Sequence, residues 1–225
     1  NALVNANRIT NVVYNPLGNA YNLAAIDFSS GTIANAVVRD NVINGVHQPS
    51  TGGWGAYGIN FGSSSTTNTN VYNNVITDVT TLNYGTGNTY NAIGIRITGG
   101  TTYNILHNTI NMAGTTPAVG SSTPMCAAFC VTSSAATGIT LQNNIIINQT
   151  TFSLSAGKSY AVHIASGTTL SSANNLFYTG GANGVMGYNG SDITTIDALK
   201  TALTDVTSIS KLPVFTNAND NNIQY

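Results

Sequence analysis

Apolar and polar residues alternate over short segments of this chain, with a period of two rather than the period of a helix. Five segments are apolar, polar and apolar in turn: Ile26-Asp27-Phe28, Ile59-Asn60-Phe61, Ile95-Arg96-Ile97, Phe129-Cys130-Val131 and Val162-His163-Ile164. Such alternation is typical of a half-buried β-strand, because successive side chains point to opposite faces of the strand. The pattern predicts one short strand at each triplet.

A second motif recurs with nearly the same spacing: an asparagine followed two positions later by isoleucine or phenylalanine. Its asparagines are Asn7, Asn41, Asn74, Asn108, Asn144 and Asn175, at intervals of 34, 33, 34, 36 and 31 residues. The distance from the last residue of each triplet to the next of these asparagines is 13 or 11 residues. Because the two distances differ by two, equivalent side chains point to the same side of the strand in every repeat. Two short β segments per repeat, stacked in parallel at about 4.8 Å, predict a β-solenoid of about six rungs.

The length differences between repeats fall in the same part of each repeat. The variable stretches are residues 45–57, 78–91, 113–126 and 149–159, and they are rich in Gly, Ser, Thr and Asn. This composition is typical of loops. We therefore expect the extra residues to leave the solenoid at a single corner.

The recurring asparagines have a physical reason that does not depend on any family. A side-chain amide both donates and accepts hydrogen bonds, so stacked copies satisfy one another where an isolated buried amide would be costly. The six asparagines are therefore predicted to form a structural ladder along the solenoid axis. A direct functional role for them is the weaker interpretation.

The end of the chain has a different character. Ile196, Leu199, Leu203 and Val206 recur at helical spacing behind Thr194-Thr195-Ile196-Asp197, which resembles a capping box with Asp in place of Glu. We expect residues 1–190 to form the solenoid and residues 191–225 to form a C-terminal cap of the same domain, with one short helix. The helix would cover the open end of the solenoid, where unpaired strand edges invite aggregation; binding of a partner is the alternative.

The repeats resemble the right-handed parallel β-helix of the pectate-lyase-like superfamily. The resemblance covers about residues 1–190 and rests on the recurring Asn-x-Ile, as in Asn41-Val42-Ile43 and Asn108-Thr109-Ile110. It implies an all-β, right-handed solenoid with stacked asparagines. It does not imply one activity, because the superfamily includes lyases, hydrolases, epimerases, tailspikes and non-catalytic surface proteins. The short helix followed by Pro213-Val214-Phe215 also resembles the ends of large secreted bacterial β-helix proteins.

The composition narrows the possible functions. Charged residues are 6% of the 225, against about 25% in an ordinary domain, while the chain contains 32 Asn and 32 Thr and no Glu. An apolar fraction of 42% argues against intrinsic disorder. A net charge of −1 and a pI near 6.3 argue against nucleic acid or an anionic membrane as partner. No apolar run approaches the roughly 20 residues that span a bilayer, and we interpret the chain as a mature or excised piece.

The polar residues at the centres of the triplets form the best-defined candidate site. Neighbours in this row, with one residue per rung, are expected about 4.8 Å apart, close enough to hydrogen-bond in sequence or to touch an extended ligand. A solvated face of the solenoid is the simpler interpretation. The row consists of Asp27, Asn60, Arg96, Cys130 and His163.

An enzyme of the superfamily would need acids for calcium or for acid–base chemistry, together with a basic group. The residues available for that role are Asp27, Arg39, Asp40 and Arg96. Asp40 and Asp78 are offset by about five residues, or roughly 16 Å, so they cannot form a close pair. A nucleophilic role for Cys130 beside His163 has neither an orienting acid nor an oxyanion hole in the sequence.

Aromatic residues in the variable stretches are the other candidates for ligand contact. Trp54, Tyr84 and Tyr90 offer flat apolar rings among uncharged hydrogen-bonding residues, which suits the faces of neutral sugars. Packing over the corner is the alternative. Cys126 and Cys130 are too far apart in an extended strand for a disulfide, so two free thiols are predicted. No metal or other cofactor is expected, because the three histidines share no ligand-like spacing.

These observations predict a non-catalytic structural and adhesion segment of a secreted or cell-surface bacterial protein. Its expected partners are neutral polysaccharides or other cell-surface modules, with no nucleic acid and no membrane insertion. A polysaccharide lyase or glycoside hydrolase is the first alternative. A solenoid that binds ice or a mineral surface is the second, although no Thr-x-Thr face was found to recur through the rungs.

Overall fold

The computed structural model describes residues 1–14, 21–49, 54–81, 90–116, 124–153 and 157–214. Within these ranges the chain is almost entirely β, with one short helix near its end. All statements on structure below refer to these ranges. The middle of each variable stretch falls outside them, and with it Tyr84; Phe215 also lies outside.

The strands follow one another in short segments along the chain. They are β1 (Leu3–Asn5), β2 (Arg8–Val13), β3 (Leu23–Phe28), β4 (Ile33–Ala34), β5 (Val37–Arg39), β6 (Val42–Gln48), β7 (Ala56–Phe61), β8 (Thr66–Tyr72), β9 (Val75–Thr81), β10 (Tyr90–Ile97), β11 (Thr101–Leu106), β12 (Thr109–Thr116), β13 (Met125–Val131), β14 (Thr137–Gln142), β15 (Ile145–Phe152), β16 (Lys158–Ile164), β17 (Leu170–Ala173), β18 (Leu176–Thr179), β19 (Gly184–Asn189) and β20 (Asp192–Ile193). The helix α1 spans Ile196–Leu203.

Three parallel sheets run along the molecule, and each takes strands from successive repeats. Sheet 1 has the order β1-β5-β8-β11-β14-β17, with β4 beside β8; sheet 2 has the order β2-β6-β9-β12-β15-β18; sheet 3 has the order β3-β7-β10-β13-β16-β19, closed by β20. Only the pairing of β20 with β19 is antiparallel among the described strand pairs. The predicted all-β solenoid of stacked coils is confirmed. The solenoid has about four turns, slightly fewer than the six rungs predicted from the sequence.

The sequence analysis predicted two β segments per repeat, whereas the structure has three. The segment before each ladder asparagine contains a sharp turn, which separates sheet 1 from sheet 2. The turn residue has a positive φ close to 55° in every repeat: Ala6, Asp40, Asn73, His107, Asn143 and Asn174. Asn and Asp tolerate this left-handed conformation better than most residues, which explains their frequency there.

The register of sheet 3 agrees with the predicted alignment of the triplets. Asn60 pairs with Asp27 on one side and with Arg96 on the other, and Cys130 pairs with Arg96 and His163. The apolar residues of the triplets, such as Ile59 and Phe61, are fully buried in the main core. The centres of the triplets alternate with them and therefore lie on the outer face of the sheet.

Sheets 2 and 3 approach each other closely at a column of small residues. A Cβ added to Gly94 would lie 2.5 Å from the carbonyl oxygen of Ala128 and 2.4 Å from Cγ2 of Ile110. Gly58 occupies the equivalent place one coil earlier, where a Cβ would meet Ile76 at 2.6 Å. Glycine is needed at these two places because a larger side chain would push the sheets apart.

The six recurring asparagines form a continuous hydrogen-bonded ladder inside the coil. Asn108 shows the pattern: its Oδ1 accepts from the backbone N–H of Asn74 at 3.1 Å and from Nδ2 of Asn74 at 2.9 Å. Its own Nδ2 donates to Oδ1 of Asn144 at 3.1 Å and to the carbonyl of Val71 at 2.9 Å. Each buried amide therefore ties three successive coils together, which offsets the cost of removing it from water.

The C-terminal segment closes the end of this ladder. The backbone N–H of Asn175 donates at 2.8 Å to Oγ of Ser208, which stands where a seventh asparagine would lie. Asp205 is 3% exposed and accepts from the hydroxyl of Ser172 at 2.6 Å and from the backbone N–H of Ser208 at 2.9 Å. These bonds to the charged form hold the pKa of Asp205 below its ordinary value, against the opposing effect of burial.

Helix α1 packs its apolar side on the last coil. Leu199 and Leu203 are buried, and Leu199 lies against Gly187 of β19. The N-cap is Thr195, whose hydroxyl accepts from the backbone N–H of Ala198 at 3.2 Å. The predicted helix is present, although its cap is one residue later than the capping-box pattern indicated. Both cysteines are free, as predicted, and both are buried, although Cys130 belongs to the row of triplet centres.

Candidate functional site

The predicted row of triplet centres is a chain of side-chain contacts on the outer face of sheet 3. Nδ2 of Asn60 donates to Oδ1 of Asp27 at 2.8 Å, and an Nη1 of Arg96 donates to Oδ1 of Asn60 at 3.2 Å. Asp27 is exposed at the first coil, whereas Asn60 is only 4% exposed. The sequence analysis placed these residues in a row, and the structure shows that they bind one another.

Arg96 also lies over an aromatic ring on the same face. Its guanidinium carbon is 4.8 Å from the ring centroid of Tyr57, a cation–π contact. Tyr57 is fully buried and belongs to a small outer cluster with Ile93, its partner in the register, and Ala127, which pairs with Ile93 on the next coil. The outer face of sheet 3 is therefore packed rather than simply solvated.

The row continues through Cys130 and His163 to a residue that the sequence analysis did not include, Tyr188. Sγ of Cys130 lies 3.8 Å from Nδ1 of His163. The imidazole stacks on the Tyr188 ring with centroids 4.5 Å apart and an interplanar angle of 2°. Stacking between flat rings adds to the stabilisation by burial alone.

Beside this end of the row, three side chains join β16 to β20: Lys158, Tyr160 and Asp192. The hydroxyl of Tyr160 donates to Oδ1 of Asp192 at 2.8 Å, and Lys158 forms an ion pair with the other oxygen of the same carboxylate. The two bonds lower the pKa of Asp192 despite its partial burial. This group fastens the antiparallel strand at the end of sheet 3.

Burial determines the protonation of the Cys130 and His163 pair. Loss of water raises the pKa of the Cys130 thiol to about 12, although the charge of Arg96 opposes the shift. Loss of water also lowers the pKa of His163 to about 4. Both groups are therefore neutral at neutral pH, and the thiolate needed for nucleophilic attack is disfavoured.

The other acids and bases named as possible catalytic groups lie elsewhere. Arg39 ends β5, contacts Asp40 at 3.5 Å and has its guanidinium carbon 6.0 Å from the ring centroid of Tyr72. Asp40 occupies the left-handed turn and accepts from Asn73 at 3.3 Å. Asp78 lies on sheet 2 and pairs with His47 at 2.8 Å. These acids are held by different partners on different parts of the coil, away from Asp27.

One of the predicted aromatic contacts is exposed at the corner between sheets 2 and 3. Trp54 is 45% exposed, and two tyrosines that the sequence analysis overlooked lie on the first coil beside it: Tyr14, 37% exposed, and Tyr21, 54% exposed. We call Tyr14, Tyr21 and Trp54 the aromatic corner. Tyr84 and the side chain of Tyr90 lie outside the described part of the structure, so their predicted role stays a prediction.

The outer face of sheet 1 carries uncharged residues in register. Thr67, Thr101 and Thr137 are aligned on β8, β11 and β14 and are exposed. Three residues further along, Nδ2 of Asn104 donates to Oδ1 of Asn70 at 2.9 Å. This threonine column was missed because the sequence comparison followed the triplets rather than the segments before the ladder asparagines.

No group of three or more His, Cys, Asp or Glu side chains suited to a metal ion occurs within the described ranges. In the same ranges, no helix combines the length and apolar character that crossing a membrane requires. Comparison with known protein families, curated proteins and solved structures finds no match to this chain. The proposals below therefore rest on the residues themselves.

Proposed function

We propose that this chain is a non-catalytic structural and adhesion module of a secreted or cell-surface bacterial protein, and that it binds neutral glycans. The observation that carries the proposal is a difference between two groups of surface residues: the polar side chains bind one another, whereas three aromatic rings are exposed. Most of the polar side chains described on its surface bind partners on neighbouring coils, as in Asp27–Asn60–Arg96 and His47–Asp78. The aromatic corner remains exposed, and aromatic rings suit sugar faces.

The structural part of the proposal follows from the interior. A ladder of buried amides and three parallel sheets join every coil to the next, so the solenoid resists local opening. A body of this kind is suited to holding a binding surface at a fixed distance and orientation. Neighbouring cell-surface modules are the second proposed class of partner.

The alternative of a polysaccharide lyase or glycoside hydrolase has less support from the geometry. Both mechanisms need at least two chemically active groups facing one sugar. Asp27 and Arg96 lie on one face but are joined through Asn60. Asp40 lies at the turn between the other two sheets.

A glycan array combined with product analysis tests the proposal. We expect binding of at least one neutral polysaccharide, with no release of unsaturated or reducing ends during prolonged incubation of the bound glycan. Product formation would replace the adhesion proposal with the enzyme alternative. Absence of binding across neutral glycans would contradict the glycan part of the proposal.

The threonine column gives one observation in favour of ice or mineral-surface binding. Thr67, Thr101 and Thr137 repeat at the spacing of the coils, about 4.8 Å, and β-branched side chains hold their hydroxyls in few orientations. Thermal hysteresis with the wild-type chain, lost in Thr101→Tyr, would support this second function. A freezing point equal to the melting point would remove it.

A further inference from the structure

We infer that the aromatic corner is the glycan site, and that it takes an extended, neutral, β-linked polysaccharide whose ring hydroxyls are equatorial. The inference rests on the proposed glycan binding and goes further by naming the site and the class of sugar. Its evidence is the exposure of the three rings, the way their backbones are held, and the lack of charge among them.

The three rings are the most exposed aromatic side chains among the described residues. Trp54 and Tyr21 have exposures of 45% and 54%, whereas Tyr57 and Tyr103 are fully buried. The rings of Tyr14 and Tyr21 are nearly perpendicular, at 78°, with centroids 6.1 Å apart. This arrangement presents a ring face and a neighbouring ring edge at one place, which a flat sugar ring can contact on two sides.

The rings are attached to backbone that the solenoid holds in place. The backbone N–H of Trp54 donates to the carbonyl of Tyr21 at 3.2 Å, so these residues lie on adjacent coils about 4.8 Å apart. Nε2 of Gln48 donates to the same carbonyl at 3.1 Å, and the backbone N–H of Tyr14 donates to the carbonyl of His47 at 3.4 Å. Prior ordering of the backbone reduces the entropy lost on binding.

The surroundings favour a neutral ligand. The six Lys and Arg of the chain are Arg8, Arg39, Arg96, Lys158, Lys200 and Lys211, and none belongs to the aromatic corner. The nearby His47 and Asp78 are hydrogen-bonded to each other at 2.8 Å. An acidic polysaccharide would lose its hydration here without gaining a cation in exchange.

The position of the rings on two adjacent coils favours a flat and extended chain. A pyranose with equatorial hydroxyls presents two apolar C–H faces, which match aromatic rings, whereas an axial hydroxyl interrupts one of these faces. A β-1,4-linked chain keeps successive rings in an extended ribbon and can reach rings on two adjacent coils. An α-1,4-linked chain curves away from such a line.

Isothermal titration calorimetry with defined hexasaccharides tests the inference. The probes are cellohexaose and xylohexaose as neutral β-1,4-linked chains with equatorial hydroxyls, maltohexaose as the α-1,4-linked chain, and hexagalacturonate as the acidic chain. We expect at least one β-linked neutral probe to bind, and to bind at least tenfold more tightly than maltohexaose and hexagalacturonate. Equal or tighter binding of either of those two would overturn the assigned sugar class.

Two variants test the site itself. Trp54→Ala and Tyr21→Ala each remove an exposed ring and should weaken binding of the β-linked probe at least tenfold, with melting temperatures close to that of the wild type. Tyr72→Ala, which removes a ring from sheet 1, is the matched control and should bind as the wild type does. If the two corner variants bind normally, the site assignment is wrong while glycan binding stands; if no neutral glycan on the array binds the wild type, the proposed function itself fails.

Discussion

The inner ladder and the outer row of sheet 3 are built on the same coils, yet they use polar residues in opposite ways. Inside, every described coil places an asparagine at the same position, and Asn74 and Asn108 make the same set of bonds. Outside, Asp27, Asn60 and Arg96 differ from coil to coil. Inside, asparagine recurs because each buried amide needs another amide on the coil before it and on the coil after it as hydrogen-bond partners. In the outer row, a residue needs only a neighbour that complements its own donors or acceptors.

This difference shows which side chains the fold requires. A ladder asparagine has no substitute of equal bonding capacity, so its replacement affects two neighbouring coils. In the outer row an exposed residue such as Asp27 has water as an alternative partner, so loss of its neighbour has a smaller cost. Function is therefore expected on the outer surfaces, where residues vary from coil to coil without loss of the solenoid.

The largest expected effect is that of Asn108→Ala. The substitution removes the acceptor of the Asn74 backbone N–H, one of the acceptors of Asn74 Nδ2, and the amide that donates to the carbonyl of Val71. We expect a loss of about 3 kcal/mol in the free energy of unfolding, measured by urea denaturation. The control is Asn104→Ala on the outer face of sheet 1, which should cost less than about 1 kcal/mol. Equal losses for the two variants would contradict the distinction between inside and outside.

Asp205→Ala should have the next largest effect, because it opens the junction between the ladder and the cap. The carboxylate accepts from Ser172, Thr207 and Ser208. We expect a loss of about 2 kcal/mol at neutral pH. Because the folded-state pKa is lowered, the carboxylate's contribution is present above its ordinary pKa of 3.8 and is lost at lower pH. Asp197→Ala, at the exposed start of α1, is the control and should change stability by at most about 0.5 kcal/mol.

His163 should make the outer row sensitive to mild acid. Burial lowers its pKa to about 4 from an ordinary value of 6.5. Between these two pH values the imidazole is protonated in the unfolded chain but neutral in the folded protein, so acid favours unfolding. Stability should fall by about 2 kcal/mol between pH 6.5 and 4, allowing for partial exposure of the ring. His163→Phe should remove this slope and His107→Asn, at an exposed turn, should keep it; an unchanged slope in His163→Phe would show that the imidazole is not buried.

Asn60→Ala should have the smallest effect of the series. Asp27 is exposed and can turn to water, while Arg96 keeps its contact with the Tyr57 ring. We expect a loss of about 1 kcal/mol in the same urea measurement. A loss as large as that of Asn108→Ala would mean that the outer row is as essential to the fold as the ladder.

Much of the interior could be predicted from the sequence because its pattern repeats. The triplets predicted the register of sheet 3, and the spacing of Asn74 and Asn108 predicted their contact. The third sheet was missed because a single left-handed residue, such as Asp40 or His107, makes the turn within what looks like one segment. The sequence signal for the third sheet is the Asp, Asn or His that directly precedes most of the ladder asparagines, because these residues favour the left-handed conformation.

The candidate site was harder to predict because it depends on residues that do not repeat. Ser208 ends the ladder without resembling an asparagine in the sequence. Tyr14, Tyr21 and Trp54 are brought together by the turn between sheets 2 and 3, and they do not recur at the spacing of the repeats. The sequence analysis named Trp54 as a candidate for ligand contact, but it could not show that the ring is exposed or that Asn60 and Arg96 bind each other rather than a ligand.

A double-mutant cycle between Asn74 and Asn108 tests the ladder most directly. The cycle compares Asn74→Ala, Asn108→Ala and the double variant by urea denaturation, with Asn70 and Asn104 on the outer face as the matched pair. We predict a coupling energy of about 2 kcal/mol for the inner pair and less than about 0.5 kcal/mol for the outer pair. Additive losses for Asn74 and Asn108 would contradict the claim that stacked amides hold the coils together.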